Sequence, residues 1–422
     1  MLAVIGAADY KISLEMIKDE QKKAKYLLFS LCLNICILMF FKYAYFFLDL
    51  FPSGFKKMIN YDLLRFMQIG ILPGISFFIF QSMSYSIDVY RRRIPAEQSM
   101  LHYLFFLSFF PQLIAGPIVK AKDFLGQIDS MFAQNLQFRR IFFYFLSGIL
   151  KKSVLSDGIA PIVDTVFNFP AHFSAESLFL GMLGFSCQIY LDFSGYSDFA
   201  RASALVFGIE LPENFLFPYS SSSFSEFWRR WHISLSDWLK NYLYISLGGN
   251  RKGEYRTYLN LTVTMLVGGL WHGPSWNFVL WGFGHGLLLA IERLLGWNVE
   301  KETKSLWNRF ILFLRSGFVF LSVSFLWIPF RSRDFAGAFE FFSRIFRREP
   351  GFSLSYSEQN RLYFILFAVL FFSFLGRKFY ENAEFWLRKE MNFSDVVLVP
   401  LLFMIFILLS AGGMRPFIYF VF

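Results

Sequence analysis

Apolar residues along this chain run in long blocks separated by short polar interruptions. Stretches with little or no charge recur at 26–41, 101–119, 141–150, 178–191, 257–291, 318–330, 362–376 and 396–413. Several approach the roughly 20 residues that cross a hydrocarbon layer about 30 Å thick, and the shorter ones predict broken, re-entrant or interfacial helices. The pattern predicts an all-α polytopic membrane protein with about nine to eleven spans. Residues 257–291 contain no Asp, Glu, Lys or Arg. As one helix they would extend about 50 Å, too long for a bilayer. Gly273 and Pro274 predict the break, because proline lacks an amide donor and turns the residue before it away from the α conformation.

Residues 224–243 repeat differently. Phe224, Phe227, Trp228, Trp231, Leu235, Trp238, Leu239 and Tyr242 recur at helical spacing and fill one stripe, while Arg229, Arg230, Asp237 and Lys240 fall elsewhere on the wheel. One amphipathic helix at a membrane interface is expected, with His232 at the margin of its apolar stripe; a plain surface anchor is the simpler alternative. Polar stretches at 298–304 and 347–358 predict loops. No internal repeat or long linker divides the chain, so residues 1–422 are expected to form a single membrane domain. The first twenty residues mix acids and bases and lack a clean apolar stretch, so no cleavable signal peptide is expected.

Composition sharpens this picture. Hydrophobic residues make up 55% and charged residues only 17%, more apolar than a soluble core requires. The net charge of +10 is scattered through connecting segments, among them Lys151 with Lys152, Arg229 with Arg230, and the turn holding Arg251, Lys252 and Arg256. Such clusters suit the cytoplasmic side and anionic headgroups or ligands, and no nucleic-acid partner is needed to account for them. Cys32, Cys36 and Cys187 lie in apolar runs, as buried small hydrophobes commonly do.

An ionisable side chain at membrane depth costs a few kcal/mol and marks function by default. The charge-free run 257–291 holds two histidines, His272 in LWHGPSW and His285 in WGFGHG. His272 adjoins the expected break, where freed backbone groups survive only beside protein or water. A neutral imidazole there can take a proton from a hydroxyl and return it, which is general base catalysis. The alternative is a structural histidine bonded to a neighbouring carbonyl. His285 falls about 220° away on a continuous helix, which suits a wall or supporting residue rather than a shared metal. No H-E-x-x-H, cysteine-rich or clustered-carboxylate pattern accompanies the histidines, so no metal site is expected. A G-x-S-x-G elbow is lacking too, which leaves a serine hydrolase unsupported.

YLDFSGYSDFAR sets Asp192, Tyr196 and Asp198 inside an apolar region, either as an internal brace with Arg201 or Arg229 or along a substrate path. LGGNRKGEYR places Arg251, Lys252 and Arg256 just before the histidine span, an ordinary basic loop or a receptor for phosphates.

Six blocks carry a resemblance: ILPGISFFIFQSMSYSIDVYR, FFPQLIAGPIVK, YLDFSGYSDFA, NFLFPYSSSSFSEFWRRWHISLSDWLKNYLYISLGGNR, LWHGPSWNFVLWGFGHG and RPFIYFVF. In this order they resemble the membrane-bound O-acyltransferase family, and the long block resembles its bacterial branch that O-acetylates exopolysaccharides such as alginate, or peptidoglycan. The resemblance implies a ring-like helical body with a thin centre crossed by a tunnel. It implies catalytic roles for His272, as general base, and His232. Trp271, Asn277, His285, Asp192, Tyr196 and Asp198 become candidate tunnel or supporting residues, and Arg251, Lys252 and Arg256 candidate donor contacts. Acetyl-CoA is the implied acyl donor, with no bound cofactor. The implied partners are a periplasmic or membrane-anchored relay protein, a polysaccharide acceptor and the lipid of the bacterial inner membrane. Family members carry one or two hydrophobic helices before the part aligned here, so the chain is read as starting late. Two alternatives stand beside acetyl transfer: D-alanyl transfer to a teichoic acid-like polymer, and transport of an acylated or anionic solute through the same kind of broken helices.

Overall fold

The computed structural model describes residues 1–52, 74–113, 116–132, 136–297, 305–410 and 415–418. Among these the chain is helical, with no strand and one isolated bridge between Phe173 and Phe352. The alternation of apolar blocks and polar breaks therefore folds as an all-α membrane protein. Three of the described helices, Lys23–Leu48, Leu306–Arg331 and Tyr356–Leu387, are long and apolar enough to cross a membrane. Others dilute their hydropathy with polar side chains that face inward: the 32-residue Ala175–Val206 helix buries Asp192, Asp198 and Arg201. The loop expected at 347–358 forms between Phe335–Arg347 and Tyr356–Leu387, whose first turn is closed by a capping box of Ser355 and Glu358. The loop expected at 298–304 lies outside the described residues.

The chain divides into two compact units, Met1–Leu136 with Ser203–Pro212, and Gln137–Ala202 with Glu213–Phe422. In the first, the helices Leu2–Lys18, Lys23–Leu38 and Ile75–Tyr90 meet on a buried polar knot. Asp9 accepts hydrogen bonds from Ser30 (2.6 Å), Asn34 (2.7 Å) and Ser82 (2.5 Å), and Ser82 shares a 2.8 Å bond with Tyr103. A carboxylate withdrawn from water is tolerated only when donors surround it, and here two neighbouring helices supply them.

In the second unit, Phe138–Ile149 and Asp157–Asn168 are joined without a loop by a π-helical stretch, Leu150–Ser156. A π turn widens the helix locally and changes which side chains face the neighbour. Lys151 and Lys152 consequently point at the Ala175–Val206 helix rather than lying in a connecting loop. Lys151 meets Asp198 at 2.7 Å; Lys152 pairs with Asp157 at 2.8 Å and also with Asp192. This corrects the expected brace: Arg201 pairs instead with Glu213. A buried aspartate takes the cation that the backbone brings within reach, whatever the sequence separation.

The helices Glu254–His272 and Trp276–Leu294 form a tight hairpin with the break at the expected place. Gly273 is extended, and Ser275 caps the second helix by accepting from the Asn277 amide. Close approach requires glycine in both arms. A Cβ on Gly269 would lie 2.2 Å from the Phe278 carbonyl oxygen, and one on Gly282 would lie 2.4 Å from that of Met265.

The expected single helix over 224–243 is instead broken. Phe224–Arg230 ends before Trp231, His232 adopts a left-handed backbone (φ +42°), and Ile233–Trp238 leads into a π stretch, Leu239–Tyr244. The aromatic stripe faces protein, not lipid: Phe227, Trp231 and Leu235 are each about 1% exposed. Apolar spacing cannot separate the two environments, because both reward the same side chains.

Candidate functional site

Three buried histidines converge in the second unit through aromatic rings. His272, the last residue of the first hairpin helix, has its ring centroid 5.1 Å from Trp271, 5.0 Å from Trp281 and 5.0 Å from Phe330. Trp281 also meets His285 at 4.8 Å, so this indole contacts both imidazoles. Trp271 in turn contacts His232 at 5.9 Å. The break makes this possible: it folds the second helix back beside the first, bringing together His272 and His285, which an unbroken helix would hold on different faces.

Accessibility separates the three. His232 is 0% and His285 1% exposed, whereas His272 keeps 7%. His285 is enclosed by Trp228 (4.9 Å), Phe227, Trp281 and Trp327, and neither ring nitrogen meets a hydrogen-bond partner among the described residues. That is the setting of a wall residue.

His232 is held by a neighbour to which the sequence reading assigned no role, Asn214. The Asn214 side-chain oxygen accepts from the Ser234 backbone amide (3.3 Å) and hydroxyl (2.9 Å) and lies 3.2 Å from His232 Nδ1. A backbone amide can only donate, so this atom is the carbonyl oxygen, and the imidazole nitrogen facing it carries the proton. The lone pair therefore sits on Nε2, which is buried with no partner among the described residues. His232 lies in the turn between two short helices, outside the long apolar ones, and burial pushes its pKa down to about 3. Phe193 closes its flank at 4.7 Å.

A second support arrives from the hairpin's far end. The Glu292 carboxylate accepts from the backbone amides of Phe224 and Ser225, capping the Phe224–Arg230 helix that leads to His232. Ser223 caps the same helix through the Glu226 amide. Among the remaining sequence-derived candidates, Trp271 is buried in the ring cluster and Asn277 donates to the Ser332 carbonyl at 2.9 Å. Asp192 and Asp198 are tied to the two lysines, and half-buried Tyr196 packs on Phe417 at 4.7 Å. Arg251, Lys252 and Arg256 are exposed and stand apart. Arg256 lies in the first turn of the helix that His272 ends, so 16 residues, about 24 Å of helix axis, separate them. Among the described residues no group of three or more His, Cys, Asp or Glu is placed to hold a metal ion.

Comparison with known proteins adds a family. The model of the membrane-bound O-acyltransferase family matches residues 22–330, a span that includes all three histidines. The chain is 38% identical to the probable alginate O-acetylase AlgI of Pseudomonas putida over 423 aligned residues, covering 94% of this chain and 84% of that protein. It is 36% identical to the peptidoglycan O-acetyltransferase of Helicobacter pylori, covering 75% of this chain and 63% of that one. Similarity to the teichoic acid D-alanyltransferase of Bacillus subtilis is lower, 28% over 53% of this chain and 60% of that protein.

Proposed function

This chain belongs to the membrane-bound O-acyltransferase family and is a membrane acyltransferase, and we propose that it moves an acetyl group from cytoplasmic acetyl-CoA toward hydroxyls of an extracytoplasmic polysaccharide, with the bacterial inner membrane as its location. The observation that carries the reading is the placement of His272: a titratable ring at the broken, buried end of a helix, walled by aromatic rings, and the most accessible of three histidines. In this reading His272 takes the proton of the acceptor hydroxyl while its oxygen attacks the thioester carbonyl. The carbon–sulfur bond then breaks, and the leaving thiolate takes that proton from the imidazolium. His232, linked to His272 through Trp271, positions the acceptor or shares its proton. Arg251, Lys252 and Arg256 meet the donor's phosphates. The acceptor hydroxyl belongs either to a sugar of the polymer or to a relay protein or carrier that completes delivery to it.

Family membership sets the transporter alternative aside. D-alanyl transfer to a teichoic acid-like polymer remains the second reading, with the weaker support of the lower similarity. The test is transfer of labelled acetyl from acetyl-CoA by the full chain in liposomes, with the product identified by mass spectrometry. His272→Ala is expected to lose about 10²–10⁴-fold in rate. Ordinary transfer by a well-folded His272→Ala protein overturns the assignment, and transfer of D-alanine in place of acetyl from an activated donor supports the second reading.

A further inference from the structure

A cavity of about 360 Å³ opens in the second unit between the helices Phe138–Ile149, Ala175–Val206 and Tyr356–Leu387. Asn214, the residue that orients His232, is part of its lining: the Asn214 side-chain amide donates to Ser197 (3.4 Å), which also lines the cavity, while its carbonyl oxygen serves His232 and Ser234. The cavity thus ends one side chain away from the histidine cluster.

Its lining has a definite chemistry. Two cations, Lys151 and Arg201, face three carboxylates, Asp198, Glu213 and Glu384, which sum to a net charge of −1 when all are ionised. The cations are already paired, Lys151 with Asp198 and Arg201 with Glu213. Arg201 also lies over the Tyr144 ring, 4.1 Å from its centroid, and the Tyr144 hydroxyl donates to Glu384. Phenylalanine and tyrosine rings make up much of the remaining wall. One polar group is left over: Ser194 is only 3% exposed, lines the cavity, and its hydroxyl meets no partner among the described residues.

Phosphates would meet a surplus of carboxylate and no unengaged cation, so the donor's diphosphate is poorly served here. Hydroxyl groups fare better, because carboxylates and serine oxygens accept from them and aromatic faces cover the C–H faces of a sugar ring. The volume falls within the range of small-molecule sites. We propose that this cavity binds an uncharged polyhydroxylated ligand, a neutral sugar unit of the acceptor, and holds it against the Asn214 wall beside His232. The proposal rests on the acyl-transfer reading for its purpose, but binding can be measured without transfer.

The experiment uses the full chain in detergent or liposomes, with N,N′-diacetylchitobiose as the neutral probe, digalacturonate as its anionic counterpart, and acetyl-CoA as donor. Ser194→Leu fills the interior, and Ala383→Trp, at an exposed position of the rim, narrows the mouth without disturbing the core. Each is expected to weaken chitobiose binding about tenfold or more while leaving acetyl-CoA binding within about twofold, and wild type is expected to prefer chitobiose to digalacturonate. Unchanged chitobiose binding in both variants overturns the proposal. So does weakened acetyl-CoA binding, which would make this the donor's cavity, or a wild-type protein that does not bind chitobiose. Chitobiose binding that responds to both variants, in a protein that transfers no acyl group, supports the cavity assignment and overturns the acyl-transfer reading alone.

Discussion

Nδ1 of His232 lies 3.2 Å from the side-chain oxygen of Asn214, and this contact decides which imidazole nitrogen carries the proton. Asn214→Ala removes the acceptor and frees the ring to change tautomer or turn, so transfer is expected to fall by at least about tenfold with the fold retained. Asn214→Asp keeps an acceptor and should restore part of the rate. The added carboxylate favours the imidazolium and raises the His232 pKa, so a rate that depends on the neutral ring will be lost at higher pH than in wild type. Rate profiles between about pH 3 and 8 check this, since the wild-type ring titrates near pH 3; identical profiles for wild type and Asn214→Asp would remove His232 protonation from the rate.

The hairpin that presents His272 depends on glycine at its crossing. Gly269→Ala puts a methyl 2.2 Å from the Phe278 carbonyl oxygen, and backbone on both sides can yield only by separating the arms. The expected effect is a loss of about 1–3 kcal/mol in stability together with a disproportionate loss of transfer rate, since Trp281 and His272 pack across the same crossing. Thermal unfolding in detergent, measured beside activity, checks both parts. A change at Gly317, where an added Cβ meets nothing within 4 Å, is the control.

Lys152 pairs with Asp157 and Asp192 at once, and all three are largely buried. Lys152→Met therefore leaves two buried carboxylates without a cation, Asp192 keeping only the Ile418 amide, and is expected to destabilise by about 3–5 kcal/mol. Adding Asp192→Leu removes one stranded charge and should recover part of that loss. A double variant no more stable than Lys152→Met alone would mean that the Asp192 contact adds nothing.

Much of this site was legible in the chain because it rests on local rules. A charge-free run too long for one helix, interrupted by Gly273 and Pro274, locates the hairpin and places His272 at its apex. What was not legible depends on backbone departures that periodicity cannot register. The aromatic spacing from Phe224 to Tyr242 continues through the left-handed turn at His232, so it suggests one helix where there are two. Lys151 and Lys152 look like loop cations until the π stretch turns them toward carboxylates some forty residues away. Asn214 carries no local signal at all; its role arises from tertiary contact with a turn eighteen residues later.

The basic turn offers the sharpest separation of binding from chemistry. Arg251, Lys252 and Arg256 are exposed, and about 24 Å of helix stands between Arg256 and His272, so none of them can act on the reacting atoms directly. If they hold the donor's phosphates, their loss weakens donor and transition state alike, which raises KM and leaves kcat in place. Replacing all three with alanine is expected to raise the KM for acetyl-CoA about tenfold or more, with stability unchanged within about 0.5 kcal/mol because the side chains are on the surface. The KM rise should shrink as salt increases, since exposed charges are screened over about 10 Å at 0.1 M. A triple variant with unaltered KM at low salt would return the turn to the ordinary role of a basic cytoplasmic loop.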